Sequence, residues 1–188
     1  MRIIAGKHRG RPIGRPPSVI TRPTMDRVRE SIFNMLTHSD IENKIEYIQD
    51  AYVLDAFAGS GALGIEALSR GAKFIYFFDK NTRALATVRE NVWSIGESET
   101  TKIMKADAAK PPKAPHPMGL VLLDPPFGKN LVALSLPELL KTGWIDQDTL
   151  IVAEIAARED LKLPKNFAIV CEKTYGTAQV FFIKLVVS

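Results

Sequence analysis

From residue 51 onward, short apolar runs alternate with segments whose apolar residues recur every three to four positions. The runs Tyr52–Ala56, Phe74–Phe78, Thr101–Met104, Leu120–Leu123 and Leu150–Ile155 read as strands, most of them apolar almost throughout. Near-continuous apolar strands are buried on both faces. Helices are predicted between them, from about Gly61 to Ser69, Asn81 to Ile95 and Val132 to Lys141. Strand–helix alternation of this kind gives an α/β fold, a parallel sheet with helices on both faces. The tail departs from it. Phe167–Lys173 and Gln179–Val187 flank Tyr175-Gly176-Thr177, a hairpin signal. The prediction is a mostly parallel seven-stranded sheet that ends in a C-terminal antiparallel hairpin.

Residues 1–50 follow another pattern and form a small basic N-terminal extension, strand or hairpin and then helix, packed on the domain of residues 51–188. Arg2–Ala5 reads as a short strand, followed by a Gly/Arg/Pro-rich stretch. Thr24 is placed to cap a helix running to about Thr37, with Val28, Ile32, Phe33, Met35 and Leu36 as its apolar stripe.

Composition narrows the class. The 188 residues suit one core, and an apolar share of 46% suits a soluble globular protein. No apolar run reaches the roughly 18 residues of a membrane span, and Met1–Pro16 lacks the apolar region of a signal peptide. Cys171 is the only cysteine and the three histidines are scattered, so neither a disulfide nor a metal site is expected within the chain. A reducing cytoplasm fits. Net charge is +4, but residues 1–30 carry +6 and the remainder −2. A basic segment on a near-neutral body is the footprint of a phosphate-backbone contact, although on charge alone a solvated arm without a partner fits equally. Arg9, Arg11 and Arg15, with Lys7, lie in a stretch too poor in apolar residues to pack and are expected against the phosphates of such a backbone. Arg22 and Arg27, flanking the helix start, are expected nearer an active site.

Candidate chemistry begins after the first strand. Gly59, Gly61 and Gly64 satisfy G-x-G-x-x-G between a strand and a helix start, where glycines let backbone approach a ligand. Asp79 ends the second strand, 24 residues after Asp55, where an acid can bind a ribose hydroxyl pair. A pyrophosphate cofactor fits poorly, because Asp55 directly before the loop would repel it; a cationic amine would suit Asp55. Asp107, after the third strand, is placed to read an adenine amino group. Acids after three successive strands suit S-adenosylmethionine. Phe57, Lys80 and Ala108, beside these positions, complete the candidate cofactor set.

Leu123-Asp124-Pro125-Pro126-Phe127 is the most specific signal. Two prolines remove two backbone donors and stiffen the turn after the fourth strand. Asp124 and a proline carbonyl are thereby left as fixed acceptors that can take both hydrogens of a planar amino group and aim its nitrogen at a methyl donor. Phe127 offers a face on which a base can stack. Asp124, Pro125, Pro126 and Phe127 are the candidate catalytic residues.

These motifs resemble class I (Rossmann-like) methyltransferases, and Asp124-Pro125-Pro126-Phe127 resembles the [DNS]-P-P-[FYW] of amino-group N-methyltransferases. More narrowly, Met1–Lys7, Thr21–Thr24 with Asp26–Glu30, Phe57–Ala72, Leu123–Lys129 and Tyr175-Gly176 resemble the bacterial 16S rRNA guanine-N2 methyltransferase family, RsmD. The resemblance runs the length of the chain without an additional domain. It implies S-adenosylmethionine as donor and the exocyclic amine of a 16S rRNA guanine as target, within an assembled or assembling small ribosomal subunit. An enzyme acting on adenine in DNA or on a protein glutamine stands as the alternative. Two positions depart from the family. Phe127 replaces the common tyrosine, and Asp79 is one carbon shorter than the frequent glutamate.

Overall fold

A computed structural model describes residues 1–15, 23–38 and 46–186. The elements run α1 (Pro23–His38), β1 (Tyr52–Asp55), α2 (Ala62–Ser69), β2 (Phe74–Asp79), α3 (Thr82–Ser94), β3 (Thr101–Lys105), β4 (Leu120–Leu123), α4 (Leu131–Lys141), β5 (Leu150–Ala156), β6 (Phe167–Tyr175) and β7 (Ala178–Leu185). The seven strands form one sheet in the order β3-β2-β1-β4-β5-β7-β6. All pairings from β3 to β5 are parallel, and β7 is antiparallel to both β5 and β6. This is the predicted sheet with its C-terminal hairpin.

Side chains alternate across the sheet and build two cores. Val53, Ile75, Phe77, Leu120, Leu122 and Val152 face Ile65 and Leu68 of α2 and Val88 and Val92 of α3. Leu54, Phe78, Val121, Leu123 and Ile151 face Val132, Leu136 and Leu139 of α4, with Trp144 filling the centre. The near-continuous apolar runs of the central strands are thus explained by helices on both faces. Chain order reverses between β1 and β4, since the parallel strands run outward from β1 to β3 on one side and from β4 to β5 on the other. Ligand crevices in such sheets open at this switch point, beyond the carboxyl ends of the strands.

The N-terminal segment differs from expectation in three ways. Arg2–Ala5 forms no strand; Arg2 and Pro12 make a single antiparallel bridge, extended by bonds from Ile3 N to Arg11 O, 3.0 Å, and Ile13 N to Met1 O, 3.0 Å. The stretch does pack, because Ile3 and Ile13 are buried in the same core as Val28, Ile32 and Phe33 of α1. The two isoleucines dock the hairpin, and His8 is buried as well, its backbone N–H donating to Ser69 Oγ at 3.0 Å. Third, α1 begins at Pro23, so Thr24 lies in its first turn and not at its cap. A proline at a helix start forfeits no intrahelical bond.

Glu66 holds this hairpin down. Its buried carboxylate accepts from Ile4 N (2.8 Å) and Ala5 N (3.0 Å) and pairs with Arg70 at 2.9 Å. Asn91 of α3 accepts from Gly14 N at 2.7 Å and donates to Gly14 O and Ser60 O. One side chain therefore joins the extension to the glycine loop.

Candidate active site

A cavity of about 790 Å³ opens at the switch point, beyond the carboxyl ends of β1, β2, β4 and β5. The volume is that of a small-molecule site. Asp55, Phe57, Gly59, Asp79, Lys80 and Ala108 line one part, and Asp124, Pro125, Pro126 and Phe127 another. Two segments distant in sequence thus share one space. Gly61 and Asp107, also candidates, stand outside the lining.

The glycine loop shows why these residues are glycines. Gly59 has φ +53°, and open space lies where a Cβ would project. Its N–H donates to Asp79 Oδ2 at 2.9 Å, so the second strand holds the loop. Gly61 and Gly64 serve packing: a Cβ would come within 3.3 Å of Phe77 and Val88 at Gly61, and within 2.3 Å of Phe77 at Gly64.

Each acid has a structural partner, but one keeps a free oxygen. Asp79 Oδ1 accepts from Asn81 N at 2.7 Å, at the start of α3. Asp107 pairs with Lys80 at 2.9 Å and accepts from Ala109 N; Lys80 beside it holds its carboxyl below the ordinary value. Asp55 Oδ2 accepts from Gly64 N at 3.0 Å, whereas its buried Oδ1 has no partner. Burial pushes the Asp55 carboxyl up to about 7, and the charges of Asp124 and Asp79 add to the shift. A buried acceptor left orphaned costs free energy. A cationic group in the cavity would relieve both the orphan and the raised titration.

Asp124 lies just past β4, part-open to the cavity but poorly hydrated, and desolvation raises its carboxyl to about 6. Pro125 is buried, while Phe127 is 40% exposed with its ring available. Gly128 N donates to Glu159 Oε2 at 3.1 Å, tying the motif's loop to the segment after β5.

Sequence reasoning missed several lining residues. Glu154 of β5 lies in the cavity wall, as does Thr177 of the β6–β7 turn. A lone acid within the apolar run LIVAEIA was the available signal. Met1, Arg15, Asp26 and Arg29 supply a further wall from the N-terminal segment. Arg29 is buried, with Nη2 donating to Arg2 O at 2.8 Å. Among the basic candidates Arg15 is at the cavity, whereas Arg9, Arg11 and Arg27 are exposed and outside the lining. Lys7 pairs with Glu97 at 2.6 Å. Arg22 lies outside the described residues. Among the described residues no helix is long and apolar enough to cross a membrane, and no group of three metal-ligating side chains occurs.

Comparison with known proteins identifies the family and the fold. The family model described as conserved hypothetical protein 95 matches residues 1–184. Ribosomal RNA small subunit methyltransferase D of Haemophilus influenzae is 35% identical over 181 residues, covering 94% of this chain and 89% of that protein. The protein of the same name in Escherichia coli K12 is 33% identical, with 94% and 85% covered. Among solved structures, the yhhF protein of Escherichia coli matches with a TM-score of 0.80 at 30% identity, over 100% of this chain and 99% of that one. A family model spanning nearly every residue, full-length relatives above 30% identity and a shared fold lead to one conclusion: the chain belongs to the ribosomal RNA small subunit methyltransferase D (RsmD) family and is a class I methyltransferase.

Proposed function

We propose that the protein transfers a methyl group from S-adenosylmethionine to the exocyclic N2 of a guanine in 16S rRNA, in the cytoplasm and within a small ribosomal subunit particle. The observation that carries this reading is one cavity with the orphaned Asp55 Oδ1 at one end and Asp124-Pro125-Pro126-Phe127 at the other. The named relatives, both small-subunit rRNA methyltransferases, support the substrate class.

The donor, when bound, supplies an electrophilic methyl on a sulfonium. Asp55 would accept from its amino group, Asp79 from its ribose, and Asp107 from its adenine once Lys80 yields; Gly59, Gly61, Phe57 and Ala108 would shape the pocket. On the target side, Asp124 and a proline carbonyl hold the two amine hydrogens and Phe127 stacks on the ring. Nitrogen gains a carbon and gives up one hydrogen as a proton, for which the adjacent Asp124 carboxylate is the acceptor. Much of the rate comes from positioning, because an amine aligned at contact distance reacts as if at very high concentration. Lys7, Arg9, Arg11, Arg15 and Arg27 would meet phosphates of the RNA.

Mass-spectrometric nucleoside mapping tests the reading. Cells lacking the protein should lose one N2-methylguanosine from 16S rRNA, restored when purified protein and S-adenosylmethionine are added to their small subunits. Unchanged 16S rRNA would refute it.

A further inference from the structure

The parallel register of β4 and β5 pairs Leu123 with Ala153, so the next residues outward, Asp124 and Glu154, emerge side by side. Both line the cavity. Glu154 is the only charged residue of β5, flanked by buried Ala153 and Ile155 and paired across the sheet with Val180. Among the described residues it makes no hydrogen bond or ion pair with another side chain. Burial, and then the charge of Asp124, push its carboxyl up to about 8. An acid kept unpartnered against a second acid costs stability, and such positions in clefts are the ones that face ligands.

Base chemistry says what such an acid can read. In guanine the amine sits beside a ring N–H, a donor. In adenine and cytosine the ring nitrogen beside the amine is an acceptor. An oxygen acceptor next to the amine pocket therefore favours guanine and leaves the other two amino bases facing lone pair against lone pair. The carbonyl oxygen of a carboxyl accepts in either state, but the neutral acid also carries an O–H donor. Discrimination is therefore full only where Glu154 is ionised, above about pH 8, and rates are to be compared there. We propose that Glu154 accepts the ring N1–H of the target guanine while Asp124 accepts from the neighbouring amine, the two acids together selecting the base. The inference rests on the guanine-N2 reading above and adds a specificity residue to it.

A synthetic rRNA segment carrying guanine or 2-aminopurine at the mapped target, assembled into small-subunit particles, tests the proposal. 2-Aminopurine keeps the 2-amino group and lacks the ring N–H. Wild-type protein should favour guanine by at least about 10-fold in kcat/KM. Glu154→Ala should lower the guanine reaction by roughly 10–100-fold and leave 2-aminopurine within about twofold. Glu154→Gln, whose amide can accept through its carbonyl or donate through its NH2, should hold the guanine rate above that of Glu154→Ala while narrowing the preference over 2-aminopurine. Equal wild-type rates on the two bases, or parallel losses in Glu154→Ala, would overturn the role of Glu154. Absence of N2-methylguanosine in the wild-type reaction would instead overturn the reading on which it rests.

Discussion

At the scale of single residues, the site is an assembly of acids held in a poorly hydrated space, and their titration makes it testable. Asp124, raised to about 6, must be ionised to accept fully from an amine and then take its proton. The methylation rate at saturating donor should therefore climb about tenfold per pH unit below pH 6 and level off above it. Asp124→Ala should lose about 10–150-fold in rate with donor affinity within a few-fold, measured with S-adenosylhomocysteine by calorimetry. A pH-independent rate from pH 5 to 8 would remove Asp124 from the chemistry. Asp55 lends itself to a stability test. Its folded carboxyl titrates at about 7 against 3.8 ordinarily, so between those values the folded chain retains a proton that the unfolded chain has released. Stability therefore falls as pH rises through that window. Asp55→Asn removes the cost above pH 7 while an amide oxygen can still accept from Gly64 N–H. It should raise Tm at pH 8 by about 2–8 °C, on the order of 1–2 kcal/mol, with the gain shrinking as pH falls and absent only below the ordinary value of 3.8. Binding of S-adenosylhomocysteine should weaken at least tenfold in the same variant. Asp124 was legible because two prolines follow it and a strand precedes it. Glu154 was not, because its importance comes from the β4–β5 register, which no local pattern reveals.

At the scale of elements, strand and helix positions from β1 onward followed the apolar pattern to within a residue or two, most sharply in the central strands, which are buried on both faces, and less so in the edge strands β3 and β6. Legibility failed where tertiary contacts override local pattern. The N-terminal hairpin has one bridge and few apolar residues, yet it is fixed by Glu66 beneath it, Asn91 beside it and two isoleucines. Nothing in residues 1–15 discloses that their acceptors lie on α2 and α3. Glu66→Ala should consequently be among the most damaging substitutions outside the cavity. It leaves two N–H groups and the buried Arg70 side chain without their acceptor, a loss of about 3–5 kcal/mol. Tm should fall by roughly 6–20 °C on that basis. Hydrogen exchange should show Ile4 and Ala5 amides losing protection first. If both amides stay protected in Glu66→Ala, Glu66 is dispensable and the hairpin is held by its isoleucines and by Asn91 and Ser69. Because Met1, Arg15 and Arg29 line the cavity, a loosened hairpin should also weaken substrate binding.

At the scale of the whole molecule, charge separates into a basic N-terminal segment, +6 over residues 1–30, and a remainder of −2. The structure sorts these cations by what they touch. Lys7 is paired with Glu97, Arg29 is buried and Arg15 lines the cavity, whereas Arg9 and Arg11 stand exposed on the hairpin loop. The same hairpin contributes Met1 to the cavity wall, while its loop packs on Ser69 and Glu97 at the far ends of α2 and α3, so Arg9 and Arg11 would meet phosphates remote from a base inserted in the cavity. Arg9→Ala with Arg11→Ala should weaken binding to small-subunit particles and flatten its dependence on salt. Two lost phosphate contacts reduce the slope of log affinity against log salt by about 1.4–1.8 in total. Affinity for S-adenosylhomocysteine and Tm should stay at wild-type values, since neither side chain enters the core. Ile13→Ala, from the same hairpin, is the control with the opposite signature. It removes a side chain only 4% exposed, so Tm should fall by several degrees, about 2–5 kcal/mol for a large buried aliphatic. If the double arginine variant binds particles with an unchanged salt slope, the basic segment serves packing through its isoleucines. Recognition of the RNA would then have to come from the rim around Phe127 and Lys129.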